Sequence, residues 1–266
     1  MAMNLPPFVG AARKLVLTNL LVFFGLAVLG FVSPALSGSL VAVLLLEPAR
    51  LLHGFLWQAV TYAFLPSGIL NTVFAMLTIW FIGAFLERER GGRWLVELYL
   101  VAAVGGAVIA SLLCYLPVFG VRSDIVALGP WAAILGLLTA FAVDYGDQEM
   151  LLFFVLRTKA KYIVAIYVLI ALAILLKGGD RFGAMTQLAA ALCGWMYATL
   201  APRRGLAGGA SEFYFGLRNK YYKQKRRSAA KKFEVYMGKQ GRTVHFDKDG
   251  KYLGPEDESK DKKWMN

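Results

Sequence analysis

Six long, mostly apolar runs constrain this chain more than anything else in it. They lie roughly at Leu15–Val32, Leu70–Leu86, Leu95–Leu116, Ile125–Val143, Tyr162–Leu176 and Phe182–Leu200. Crossing about 30 Å of hydrocarbon takes roughly 20 apolar residues. Lipid offers the backbone no hydrogen bonds, so spanning segments are helices or closed barrels, and runs of this length are helices. The 58% hydrophobic content over 266 residues excludes an ordinary soluble domain. The first run has the flanks of a secretory leader, with Arg13 and Lys14 before it and Ser33-Pro34-Ala35 after it. It is too long for a leader core and five more runs follow, so it reads as a span.

Charge sets the orientation. The N-terminal arm, the second-to-third and fourth-to-fifth connections and the C-terminal tail together hold 25 Lys and Arg. The opposite side holds four: Arg50, Arg122, Lys177 and Arg181. The positive-inside rule then places both termini in the cytoplasm, and the expected location is a bacterial cytoplasmic (inner) membrane.

The connection between the first two spans, Phe31–Phe64, is too long for a tight turn. Its stretch Leu44–Trp57 reads either as an interfacial segment on the outer surface or as a partly ordered loop. Ala190 and Gly194, four apart, share one face of the sixth span and allow close helix approach. Cys114 and Cys193 fall in spans, where thiols pack as small hydrophobes. The chain divides into an arm (1–14), a six-helix membrane domain (15–202) and a basic tail (203–266). In the tail, Ser211 to about Met237 reads as a helix rich in Lys, Arg and Tyr. Thr243–Phe246 and Lys251–Leu253 flank a glycine turn, as in a small hairpin. The tail has a net charge of +9. Its natural partner is the anionic headgroup layer, ahead of protein docking; nucleic acid is the least favoured, because no nucleic-acid-binding motif accompanies the charge.

From Trp57 onward the motifs resemble the rhomboid family of intramembrane serine proteases. Trp57-Gln58…Thr61…Phe64 is similar to that family's Trp-Arg…Thr…Phe segment, with Gln58 in place of Arg. Gly83-Ala84-Phe85-Leu86-Glu87, then Gly91, is similar to its Gly-x-x-x-Glu…Gly span ending. Gly136, Ala190 and Gly194 fall where its small residues fall. The resemblance covers about Leu52–Pro202. It implies an all-α polytopic membrane protein: a six-transmembrane-helix rhomboid-like bundle, here with a cytoplasmic basic C-terminal helix and small hairpin.

The resemblance also implies a Ser–His dyad, and the aligned positions lack it. The serine slot, at Gly129-Pro130-Trp131, is Trp131, which has no nucleophilic atom. The histidine slot is Gln187, whose amide does not titrate near neutral pH and cannot act as a general base. The oxyanion pair is Asn71 and Ala75, of which only Asn71 can donate. Pro130 removes a backbone N–H beside the slot. The two histidines, His53 and His245, lie elsewhere. No His, Cys or carboxylate cluster with metal-ligand spacing exists, and no metal or cofactor is implied.

The expectation is therefore a pseudoprotease that binds or scaffolds transmembrane client or partner proteins without cleaving them. Inactive rhomboid relatives and the derlins act in trafficking and membrane protein quality control. The binding candidates are Trp131, Gln187 and Asn71. The alternative is a rhomboid serine-type endopeptidase with non-standard catalytic residues. A pore would need polar residues lining several spans, and beyond Gln187 and Asn71 the spans offer few.

Overall fold

The computed structural model describes residues 6–116, 124–152 and 156–201, together with short pieces of the tail between residues 218 and 253. The chain forms two compact units, Met1–Leu206 and Ala207–Asn266.

The first unit is built on helices. The order is α1 (Gly10–Val32), α2 (Pro34–Leu44), α3 (Pro48–Leu52), α4 (Gln58–Thr61), a 3-10 turn (Tyr62–Phe64), α5 (Ile69–Arg90), α6 (Gly92–Leu113), α7 (Trp131–Tyr145), α8 (Ala160–Lys177) and α9 (Arg181–Leu200). Among the described residues, α1, α5, α6 and α8 are long and apolar enough to cross a membrane. The 15-residue α7 and the 20-residue α9 complete the predicted set of six. The chain is a multi-pass integral membrane protein.

Small residues set the centre of the bundle, where α6, α7 and α9 pack together. A Cβ added at Gly106 would lie 2.7 Å from the Thr186 carbonyl oxygen and 2.9 Å from Ala190 Cβ. One added at Gly194 would lie 2.7 Å from Gly136 Cα. Backbones this close gain dispersion along their length, the main attraction between helices in lipid. The predicted Ala190/Gly194 face is thus a crossing point. Cys114 is buried and Cys193 half-buried.

The Gly-x-x-x-Glu ending of α5 has a physical role. Gly83 lets α1 approach, with Ala12 Cβ 3.2 Å from where its own Cβ would sit. The Glu87 carboxylate then accepts the Ala11 and Ala12 N–H groups at 2.7 and 2.9 Å. These are N–H groups of the first turn of α1, which have no partner within the helix. Gly91, at φ +91°, turns the chain from α5 into α6.

The fourth span starts later than predicted. Its apolar run opens at Ile125, but α7 opens at Trp131. Ala127 instead exchanges both backbone hydrogen bonds with Leu46, at 2.9 and 3.0 Å. Gly129 then adopts φ +109°, and Pro130 is the N-cap. The connection from α7 to α8 also differs from a plain loop: β1 (Glu149–Leu152) pairs antiparallel with β2 (Leu156–Lys159).

In the second unit, His245–Phe246 pairs antiparallel with Tyr252–Leu253. Several described positions of the predicted tail helix, among them 221–226, are helical; Ser211 lies outside the described residues.

Candidate functional site

Relative helix lengths place the site. Arg90, at the end of α5, donates from Nε to Asp144 Oδ2 at 2.9 Å, pairs a second time through Nη2 and Oδ1, and donates from Nη1 to the Ala198 carbonyl at 3.1 Å. Its guanidinium also lies 4.8 Å from the centre of the Trp94 ring. This bidentate pair levels the last turns of α5, α7 and α9 with the start of α6. At 1.5 Å per residue, the 22 residues of α6 rise about 33 Å and the 15 of α7 about 22 Å. The head of α7, with Trp131, therefore stands about two-thirds of the way up α6, below its far end.

Around that head the chain is closely built. Gly129 donates its N–H to the Tyr62 carbonyl at 3.0 Å. A Cβ at Gly129 would lie 3.1 Å from Ser67 Oγ and 4.0 Å from Trp131 Cδ1. Only glycine combines that proximity with a positive φ. Trp131 is partly buried and packs on the hydrophobic core. Asn71 is exposed in the first turn of α5, and its Nδ2 donates to the Ser67 carbonyl at 3.3 Å. Ala75, one turn on, is fully buried. Trp131, Ser67 and Asn71 are thus brought near one another through Gly129.

Gln187 sits in the second turn of α9, partly buried, beside the Thr186–Gly106 crossing. Its side-chain amide makes no hydrogen bond to Trp131 or to any other group among the described residues. His53 lies on the α3 side, its Nδ1 against the Ala49 carbonyl, and is exposed. Ser67 Oγ and Ser111 Oγ are buried without hydrogen-bond partners among the described residues. No cluster of three metal-ligating side chains lies among the described residues.

The structure brings forward residues that sequence reasoning passed over. Tyr62 is fully buried, and its hydroxyl donates to the Ala103 carbonyl at 2.9 Å. Tyr99 returns the arrangement, donating to the Ala63 carbonyl at 2.8 Å. Arg90 and Asp144 were legible only as charges near span ends. A tyrosine inside an apolar run was the available signal, since a buried phenol requires a partner.

A bundle of long apolar helices joined by ordered connections defines a multi-pass integral membrane protein. Residues 16–214 match the family described as "Eukaryotic integral membrane protein (DUF1751)", and the chain belongs to that family. That description runs against the bacterial cytoplasmic membrane expected from the sequence. The chain is also similar to "RHOMBOID-like protein 4" of Arabidopsis thaliana, 33% identical over 82 residues. The similarity covers 31% of this chain and 19% of that protein, so the chain spans about a fifth of the relative it matches.

Proposed function

We propose that this protein is a rhomboid-like pseudoprotease that binds or scaffolds membrane proteins without cleaving them. One observation carries the reading. At the head of the short α7, the position that would hold a nucleophile is a tryptophan packed on the core, preceded by a proline that has no N–H to donate. Serine chemistry needs a hydroxyl, an adjacent base and donors for the developing oxyanion. Here Trp131, Gln187 and Ala75 supply none of the three, and Asn71 commits one of its two amide N–H donors to the Ser67 carbonyl. Trp131 and Gln187 instead offer a large apolar face and an amide free to bond a client helix. In lipid, an amide of this kind contributes about 1–2 kcal/mol to helix association.

The positive-inside count supports cytoplasmic termini, with residues 203–266 acting as a basic arm on anionic headgroups. A protease with relocated groups is the second reading. Ser67 favours it most, with a buried, unpartnered hydroxyl beside Gly129. No titratable base is hydrogen-bonded to Ser67 among the described residues.

The test is labelling of the detergent-solubilised protein with a serine-reactive fluorophosphonate, alongside cleavage of a generic transmembrane substrate. Neither is expected. Labelling abolished by Ser67→Ala would overturn the pseudoprotease reading.

A further inference from the structure

Between α6 and α9 the bundle leaves a groove of about 240 Å³, lined by Val101, Cys193, Met196, Tyr197, Leu200 and Ala201. Residue spacing explains it. Positions four apart share a helix face, so Glu97, Val101 and Gly105 form one stripe of α6, and Cys193, Tyr197 and Ala201 one stripe of α9. The stripes meet at two places. At one, a Cβ added at Gly105 would overlap Cys193 Sγ. At the other, the Tyr197 hydroxyl donates to Glu97 Oε2 at 2.8 Å. Val101 is the α6 residue that lines the space left beside them.

Depth and chemistry limit what can fill this space. Arg90 reaches the Ala198 carbonyl, so Leu200 and Ala201 lie at the charged end of the bundle. From Ala201 to Cys193 the helix rises about 12 Å. Half of the hydrocarbon core is about 15 Å thick, so the groove belongs to one leaflet. Its walls are apolar. The Tyr197 phenol is committed to Glu97, and Cys193 packs on Gly105. Water needs two to four polar partners, which such walls do not offer. A helix, about 10–12 Å across with its side chains, is too wide to enter. An acyl chain is the right size: an apolar cavity of about 150 Å³ already holds benzene. A chain lying there restores the dispersion contacts that an empty gap between helices forfeits.

The rim supplies a headgroup partner. Arg93, one turn before Glu97, lies 3.6 Å from its carboxylate and has a side chain 72% exposed. A guanidinium carries five donors in a fork that matches phosphate. Glu97 is 19% exposed and held by both Tyr197 and Arg93, so it presents little negative charge to the rim. Beyond Ala201 the sequence continues Pro202-Arg203-Arg204, adding two more cations close to the same end.

We propose that the α6–α9 groove is a lipid site, taking one acyl chain of an anionic phospholipid whose phosphate rests on Arg93.

The full chain is reconstituted in phosphatidylcholine vesicles holding a trace of phosphatidylserine with a diazirine on its acyl chain. After illumination, the labelled residues are mapped by mass spectrometry. Label is expected on Met196 and Leu200. Unlabelled phosphatidylserine added to the host should compete that label away while leaving unchanged the label on Leu172, an exposed α8 residue in contact with bulk lipid. A phosphatidylcholine probe with the same chain should label the groove about fivefold less, and Arg93→Gln should abolish that difference. Val101→Phe fills the groove from α6 and should remove the competable label. Ala201→Leu fills it from α9 and should do the same, so the result does not hang on one variant folding. Groove label that resists competition and survives both substitutions would mark ordinary bulk lipid and overturn the proposal. Equal labelling by the two headgroups would leave Arg93 selecting nothing and overturn it. Absence of groove label would place a protein surface over the groove and overturn it equally.

Discussion

At the Arg90 end of the membrane unit, charged side chains join separate helices. Arg90 bridges Asp144 on α7 and the Ala198 carbonyl on α9, Glu87 caps α1, and Tyr197 on α9 donates to Glu97 on α6 at 2.8 Å. At the Trp131 end most connectors are neutral, with Arg50, paired to Glu47, the charged exception. Hydroxyls and amides of Thr61, Gln58, Tyr62 and Tyr99 reach backbone carbonyls of neighbouring segments. The difference teaches where this scaffold spends polarity. A charge is tolerable where its hydrated alternative is near; deeper in lipid, neutral donors satisfy the backbone at much lower desolvation cost.

The largest expected effect separates the two ends. Arg90→Ala leaves Asp144, 12% exposed, without its ion pair, and should destabilise by about 3–5 kcal/mol. Thermal unfolding in detergent, followed by a thiol dye reaching buried Cys114, measures it. Arg90→Lys should restore little, because the paired fork geometry is lost.

Thr61→Val tests the neutral end. It removes a donor from the Leu44 carbonyl and should cost about 1–3 kcal/mol, whereas Thr61→Ser should be close to unchanged. A larger loss from Thr61→Val than from Arg90→Ala would break the contrast between the ends.

Glu87→Gln keeps the shape and removes the charge facing the start of α1. A loss of about 0.5–2 kcal/mol is expected, with faster hydrogen exchange at Ala11 and Ala12. The smallest effect concerns Asp147, which is exposed. Its hydrogen bond from the Lys161 ammonium holds its carboxyl below the usual carboxylate range. A carboxyl depressed in the folded state contributes above its unfolded pKa, and the contribution is lost as pH falls through the folded value. Solvent screening makes it slight. The melting temperature of Asp147→Asn should match that of the unaltered protein at neutral pH and in acid alike.

Much of this architecture is legible in the chain. Apolar length marks the six helices, and the Ala190/Gly194 spacing marks a crossing that Gly106 and Gly136 complete. The reading of Trp131 and Gln187 as altered serine and histidine slots rests on resemblance alone. The late start of α7 is not legible, because Ile125–Leu128 is as apolar as a helix and only its pairing with Leu46 removes it. Arg50 reads as punctuation in a loop, and Gln58 and Thr61 as parts of a motif without a stated role, until the carbonyls that they meet are seen.

The sequence by itself determined that this chain is an all-α protein that lives in a membrane and where its long apolar helices lie. These follow from local composition, because lipid imposes one secondary structure on every apolar run of sufficient length. Tertiary structure alone decided that Glu87 caps a helix 75 residues away, that Arg90 locks three helix ends, and that the Trp-Gln-x-x-Thr motif closes α2. Those roles depend on backbone groups left unpaired elsewhere in the fold. Every residue carries the same backbone, so the need of one carbonyl for a donor is written only in the packed structure.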